Sequence, residues 1–292
     1  MYIKRLLLLF QRIKSSDSVL ASGKFSLWSV AFVSVFYKRK YLAVIHGSEV
    51  NFTNKVLRTS IEFSLKRFSK LIAVSKYTKA LVTGIHHNVV CIPNGIDIEH
   101  LQSKAINNTE LSGHPKLITV GNITERKGQL NVIRHLPELL KEYPDLQYHC
   151  IGIPTQKEAF SNEAKALNVN EHVTFHGRVS DDILQAFLLS SDIFVMLSSP
   201  TQTGDVEGFG IAIIEANYFG LPAIGARGCG IEDAIDDTNS GRLITFDAID
   251  EFKLAIKDIL ENYEAYKKHA KEWASQHSLE LIIKSYIKEL EE

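Results

Sequence analysis

Acidic residues are almost missing from the first 90 positions, which hold 3 Asp and Glu against 15 Lys and Arg. The remaining residues reverse the balance, with 31 Asp and Glu against 18 Lys and Arg, so a net charge of −1 hides two oppositely charged halves. Such a basic half either is a solvated surface or meets an anionic partner, a membrane face or nucleic acid; no recognised nucleic-acid-binding motif is present, so no nucleic-acid partner is expected. Long apolar runs are missing as well, and nothing approaches the ~20 residues of a membrane span. The apolar core of "MYIKRLLLLF" is too short for a leader, and no small-residue cleavage site follows it. Cysteine is scarce: Cys91, Cys150 and Cys229 form no CxxC pair, and each lies in or near an apolar segment. All three are expected as small buried side chains in a reducing compartment. What is abundant is apolar residue, 45% of a 292-residue chain, enough for substantial cores and for two domains.

The second half alternates short β-rich runs with helical patterns. The runs are "KLITV", "LQYHCI", "HVTFH", "DIFVM", "LPAIG" and "RLITF", with "QLNVIRHLPELLKEY" and "DDILQAFLLS" among the helices. Ser180 before two aspartates reads as a helix start. The first half repeats the rhythm with "SVLAS", "YLAVIH", "LIAV" and "VVCI", separated by "KFSLWSVAFVSVFYKRK" and "FTNKVLRTSIEFSLKRFSK". Repeated βαβ units predict an α/β fold with two Rossmann-like, doubly wound domains facing a cleft. A polar stretch, 97–116, reads as the linker. The expected organisation is an N-terminal domain over 1–100, a C-terminal domain over 110–275, and a terminal helix over 276–292.

Candidate site residues cluster where strands end, the usual place for ligands of such sheets. "VIHGSEV" places His46 after one strand, and "IPNGID" puts an Asn94-Gly95 turn after another. "ITVGNITERKGQ" brings Gly121, Asn122, Arg126 and Lys127 behind a third. "EGFGIAIIE" brackets a Gly-Phe-Gly turn with Glu207 and Glu215. The plain reading of those glutamates is acids near a helix start. The sharper one is a cradle, in which the backbone of Gly208, Phe209, Gly210 and Ile211 receives an anion at a helix N-terminus. At a helical rise of ~1.5 Å, eight residues span ~12 Å, so the two carboxylates cannot grip the same atoms. Arg126 and Lys127 would neutralise the charge of such an anion.

These segments, in this order and spacing, resemble the retaining GT-B glycosyltransferases of glycosyltransferase family 4. The resemblance implies a C-terminal domain for a UDP- or GDP-sugar donor and an N-terminal domain for a glycan or lipid-linked acceptor. It implies a terminal helix that crosses back onto the N-terminal domain. It further implies that Glu207 binds donor-sugar hydroxyls, Glu215 binds ribose hydroxyls, and His46 stands near the reaction centre. Arg178, in "FHGRVS", stands either near the nucleotide base or simply on the surface. Front-face displacement is the implied chemistry, so Glu207 is not expected as a nucleophile. No Asp-x-Asp motif accompanies these segments, and neither a metal nor a cofactor is expected. Asn122 departs from the arginine common at that position, which shifts load onto Arg126. With four strand candidates before the linker, the N-terminal domain is expected to be reduced. A second reading follows from that: an inactive or partner-dependent sugar-nucleotide-binding protein. A cytoplasmic place at the inner membrane face would explain the basic half, with 4–14 and 36–41 as its contacts. The competing expectation for "LLLLF" is packing into the domain.

Overall fold

The computed structural model describes residues 2–102, 111–201 and 204–291. Its strands are β1 (Ser18–Ser22), β2 (Lys40–Ile45), β3 (Lys70–Ala73), β4 (Val89–Cys91), β5 (Lys116–Val120), β6 (Gln147–Ile151), β7 (Val173–Gly177), β8 (Ile193–Met196), β9 (Ala223–Ala226) and β10 (Gly241–Ile244). Each expected strand is present within one or two residues. The helices are α1 (Tyr2–Arg12), α2 (Lys24–Val33), α3 (Lys55–Leu65), α4 (Lys76–Thr83), α5 (Ile98–Gln102), α6 (Gln129–Leu139), α7 (Lys157–Ala166), α8 (Asp181–Ser190), α9 (Ile211–Tyr218), α10 (Ile249–Glu261), α11 (Tyr263–Gln276) and α12 (Leu279–Glu291).

Two wholly parallel sheets result, ordered β1-β2-β3-β4 and β10-β9-β8-β5-β6-β7. In the second, chain order reverses between β5 and β8, so the crevice at their carboxyl ends is the topological switch point. In the first, strand alternation divides the core. Tyr41, Ala43 and Ile45 pack with Leu27 and Val30 of α2 and with Ile61 and Leu65 of α3. Leu42, Ile72 and Ile92 form a second cluster with Ile282 of α12. The C-terminal helix therefore covers the N-terminal sheet. Lys40 Nζ donates to the Glu289 carbonyl at 2.7 Å, and Lys70 pairs with the Glu289 carboxylate.

The chain reaches that position through a break between α11 and α12, close to the expected start of the terminal helix. Ile96 donates to the His277 carbonyl and accepts from the Leu279 N–H, both at 2.8 Å, and this bridge ends α11 and starts α12. Gly95 lies against α12, 3.0 Å from Leu279 Cα to where its Cβ would stand, so the Asn-Gly turn doubles as a packing site.

Several expectations change. Cys91 is exposed at the end of β4, although Cys150 and Cys229 are buried. The first helical pattern stops at Val33 because the chain must turn back into β2. Ser180 does precede α8, but its side chain makes no capping bond. Part of the expected linker forms α5, and its positions 103–110 lie outside the described residues. The "LLLLF" run is divided: Leu6, Leu9 and Phe10 pack on the N-terminal core, as the packing expectation has it, while Leu7 and Leu8 face outward.

Candidate active site

The carboxyl ends of both sheets converge on one cleft of about 320 Å³. The N-terminal sheet contributes His46 and Ser48 after β2, Val74 after β3, and Asn94 after β4. The C-terminal sheet contributes Arg126 and Lys127 from behind β5, and 205–212 from the loop behind β8 into α9.

Glycines permit this convergence. A Cβ on Gly208 would collide with the His46 carbonyl oxygen, so the turn and the end of β2 touch backbone to backbone. Gly128, at φ +78°, sits where a Cβ would strike the Leu197 carbonyl, which brings the loop after β5 against the loop after β8. Further bonds tie the halves together: Lys76 N–H donates to Asp233 Oδ2 at 2.6 Å, and Asn51 Nδ2 donates to the Gly204 carbonyl.

Glu207 lies at the centre. Its Oε2 accepts from Arg126 Nη1 at 2.5 Å and from Lys127 Nζ at 2.8 Å. Arg126 Nε also lies 3.4 Å from Asp205 Oδ2. Two cations and two carboxylates thus share one mouth, and Glu207 itself is buried. Charge-assisted bonds of this kind are short and strong, and the same donors suit phosphate oxygens. The Lys127 stem lies across Gly121, 3.0 Å from where a Cβ would stand. Behind the mouth, α9 begins at Ile211 after Gly210 (φ 100°), with no side chain capping its N-terminus. An uncapped helix start with an adjacent cationic pair is suited to an anion. Phe209 turns its ring inward to within 5.9 Å of the His277 ring, so the turn offers its backbone to the cleft.

Glu215 stands apart. Residues 207–210 precede the helix, so the fully helical spacing expected between the two glutamates does not hold, yet they still line different cavities. Glu215 borders an adjoining space with His100, Leu101, Asp181, Leu184, Gln185 and Phe219. Burial raises its carboxyl above the ordinary value, an effect that Lys127 opposes and Asp181 reinforces.

Four groups complete the picture. His46 Nε2 lies 3.0 Å from Ser22 Oγ, and the His46 backbone N–H donates to Glu49 Oε2 at 3.1 Å. Asn122 is exposed, and its carbonyl accepts from Gln129 at 3.1 Å. Arg178 is exposed beyond β7. Gly121, Asn122 and Arg178 line neither cavity. Ser22, Ser48, Glu49 and Asp205 were not singled out from sequence. Asp205 alone carried a signal, as an acid two residues before Glu207. Among the described residues, no group of three or more His, Cys, Asp or Glu could hold a metal ion, and no helix is long and apolar enough to cross a membrane.

Two Rossmann-like units with parallel sheets, joined at a cleft and crossed by a C-terminal helix, define the GT-B glycosyltransferase architecture. The structure of Anabaena Alr3699/HepE in complex with UDP and glucose superposes with a TM-score of 0.80 at 19% identity, over 98% of this chain and 81% of that one. A glycosyltransferase from Rickettsia africae gives 0.78 at 19%, over 99% of this chain and 80% of its own. Residues 102–276 match the family Glycosyl transferases group 1, and the chain belongs to it. A GDP-mannose-dependent alpha-(1-6)-phosphatidylinositol monomannoside mannosyltransferase of Mycolicibacterium smegmatis is 28% identical over 76% of this chain and 61% of its own length. An uncharacterized glycosyltransferase of Haemophilus influenzae is 27% identical over 90% of this chain and 72% of its own. The chain thus spans about six-tenths of the mannosyltransferase's length.

Proposed function

We propose that this protein is a retaining, metal-independent hexosyltransferase that moves a sugar from a UDP- or GDP-sugar to a glycan or lipid-linked acceptor of the cell surface. The observation that carries this reading is the cluster of Arg126, Lys127 and Glu207 beside His46 at the mouth between the sheets. The donor diphosphate binds over the start of α9, against both cations. Arg126 and Lys127 then exchange the Glu207 carboxylate for phosphate oxygens, and Glu207 accepts from donor-sugar hydroxyls. Glu215 accepts from the ribose hydroxyls. The acceptor hydroxyl approaches the anomeric carbon on the face from which the diphosphate departs. The bond from that carbon to the phosphate oxygen breaks, the bond to the acceptor oxygen forms, and the acceptor proton passes to the leaving diphosphate. Configuration is retained without a nucleophilic carboxylate. Arg126 and Lys127 supply the charge stabilisation that a metal ion supplies elsewhere.

The acceptor side favours work at the inner face of a membrane, in the cytoplasm. Phe32, Phe36, Val56 and Phe63 are all more than half exposed on or beside α2 and α3. Lys38, Lys55, Arg58, Lys66 and Arg67 stand among them in sequence. Cations near an anionic leaflet contribute about 1 kcal/mol each. The mycobacterial relative, named for a phosphatidylinositol mannoside, agrees with a lipid-linked acceptor.

Calorimetric titration with UDP and with GDP, each beside Glu215→Ala, tests the reading. Binding of one nucleotide, lost in the variant, is expected. A folded protein that binds neither would overturn it in favour of an inactive or partner-dependent chain.

A further inference from the structure

His46 is held from three sides. Glu49 accepts its backbone N–H at 3.1 Å. Gly208 presses on its carbonyl, close enough that any Cβ there would collide. Its ring is then fixed by Ser22, whose Oγ lies 3.0 Å from Nε2. Ser22 is the last residue of β1, and its register partner on β2 is Val44, two positions before His46. The neighbouring parallel strand therefore delivers a hydroxyl to the level at which the imidazole leaves the sheet. Nδ1 has no hydrogen-bond partner among the described residues, and His46 lines the cleft.

We propose that Ser22 is a positioning residue that fixes the orientation and tautomer of His46. In the proposed arrangement the Ser22 hydroxyl, which has no other hydrogen-bond partner among the described residues, donates into the Nε2 lone pair. A neutral imidazole accepting at Nε2 carries its proton on Nδ1. The cleft is thereby presented with an Nδ1–H donor, matched to the oxygen-rich face of a sugar nucleotide. That last step rests on the proposed function; the tautomer does not.

The experiment is nitrogen-detected NMR of the protein labelled with ¹⁵N-histidine, in mildly alkaline buffer, with the His46 signals assigned by their loss in His46→Gln. The wild type is expected to show His46 mainly as the Nδ1–H form. In Ser22→Ala the ring should move to the Nε2–H form common for exposed histidine, and Ser22→Thr, which keeps the hydroxyl, should restore it. Ser22 is exposed, so its truncation leaves no buried hole, and far-ultraviolet circular dichroism checks the fold. An Nε2–H ring in the wild type, or identical ring shifts in wild type and Ser22→Ala, would overturn the proposal. Failure of UDP and GDP to bind, with the Ser22-dependent shift intact, would remove the donor reading and leave the positioning role standing.

Discussion

Glu207 and Glu215 are the same residue type on one short segment, yet the fold gives them opposite surroundings. Glu207 lies in a turn and is shared by two cations. Glu215 lies one turn into α9, against Leu184 and Phe219, where burial raises its pKa. The comparison teaches that placement, more than residue type, sets their surroundings, and in the proposed function it divides their labour. A carboxylate already paired with cations can exchange them for an incoming diphosphate and turn to neutral hydroxyls. One in a half-apolar recess offers a fixed acceptor, but only while it remains ionised. Lys127 links the two, since it bonds the first and lowers the pKa of the second.

The largest break in this comparison should come from Gly208→Ala. A Cβ there strikes the His46 carbonyl, so the turn must move and Glu207 with it, while Glu215 stays on its helix. Thermal unfolding should show a loss of about 3 kcal/mol, the scale of overpacking in a close contact. Gly84→Ala, which meets nothing within 4 Å, serves as the near-neutral control. Next, Lys127→Ala should weaken nucleotide binding by about tenfold to a hundredfold, the worth of one charge-assisted bond. The same substitution should raise the Glu215 pKa further, read by carboxyl-detected NMR. A smaller effect is the pH dependence. Because the Glu215 pKa is raised, the residue protonates at higher pH than an ordinary glutamate as pH falls. Nucleotide affinity should therefore decline in that range, and Glu215→Gln should be weak and flat across it. The sign for folding is opposite: the raised value means that burying the ionised form costs stability, and this cost is relieved as pH falls. The smallest effect lies far from both glutamates. Phe63→Ser should weaken sedimentation with phosphatidylglycerol vesicles by about threefold, in proportion to the apolar area withdrawn, with nucleotide binding unchanged.

Local signals made much of this legible. Alternating β-rich and helical runs located the strands, and Gly-Phe-Gly before an apolar run marked the start of α9. What sequence left hidden depends on contacts between distant segments. Ser22 carries no signal of its own; only the β1–β2 register brings it to His46. Asp205 matters because the loop after β5 folds beneath it. The break at His277 falls close to the expected start of the terminal helix, but its cause, Ile96, lies far back in the chain and only the fold shows it. Cys91 looks like core by its apolar neighbours, yet it ends an edge strand with its side chain outside. Arg178 was carried by resemblance alone and Asn122 by its place in the loop after β5; both are exposed, and neither lines the cleft.

The most direct test compares Glu207→Gln with Glu215→Gln, each titrated with the nucleoside diphosphate and then with the matching sugar nucleotide. Glu215→Gln should lose affinity for both ligands equally, because ribose is common to them. Glu207→Gln should bind the bare diphosphate as well as wild type or more tightly, its cations being relieved of a competitor, and should lose only the increment that the sugar adds. Equal losses in both variants, or a Glu207→Gln protein that binds the bare diphosphate poorly, would contradict the division of labour between the two carboxylates.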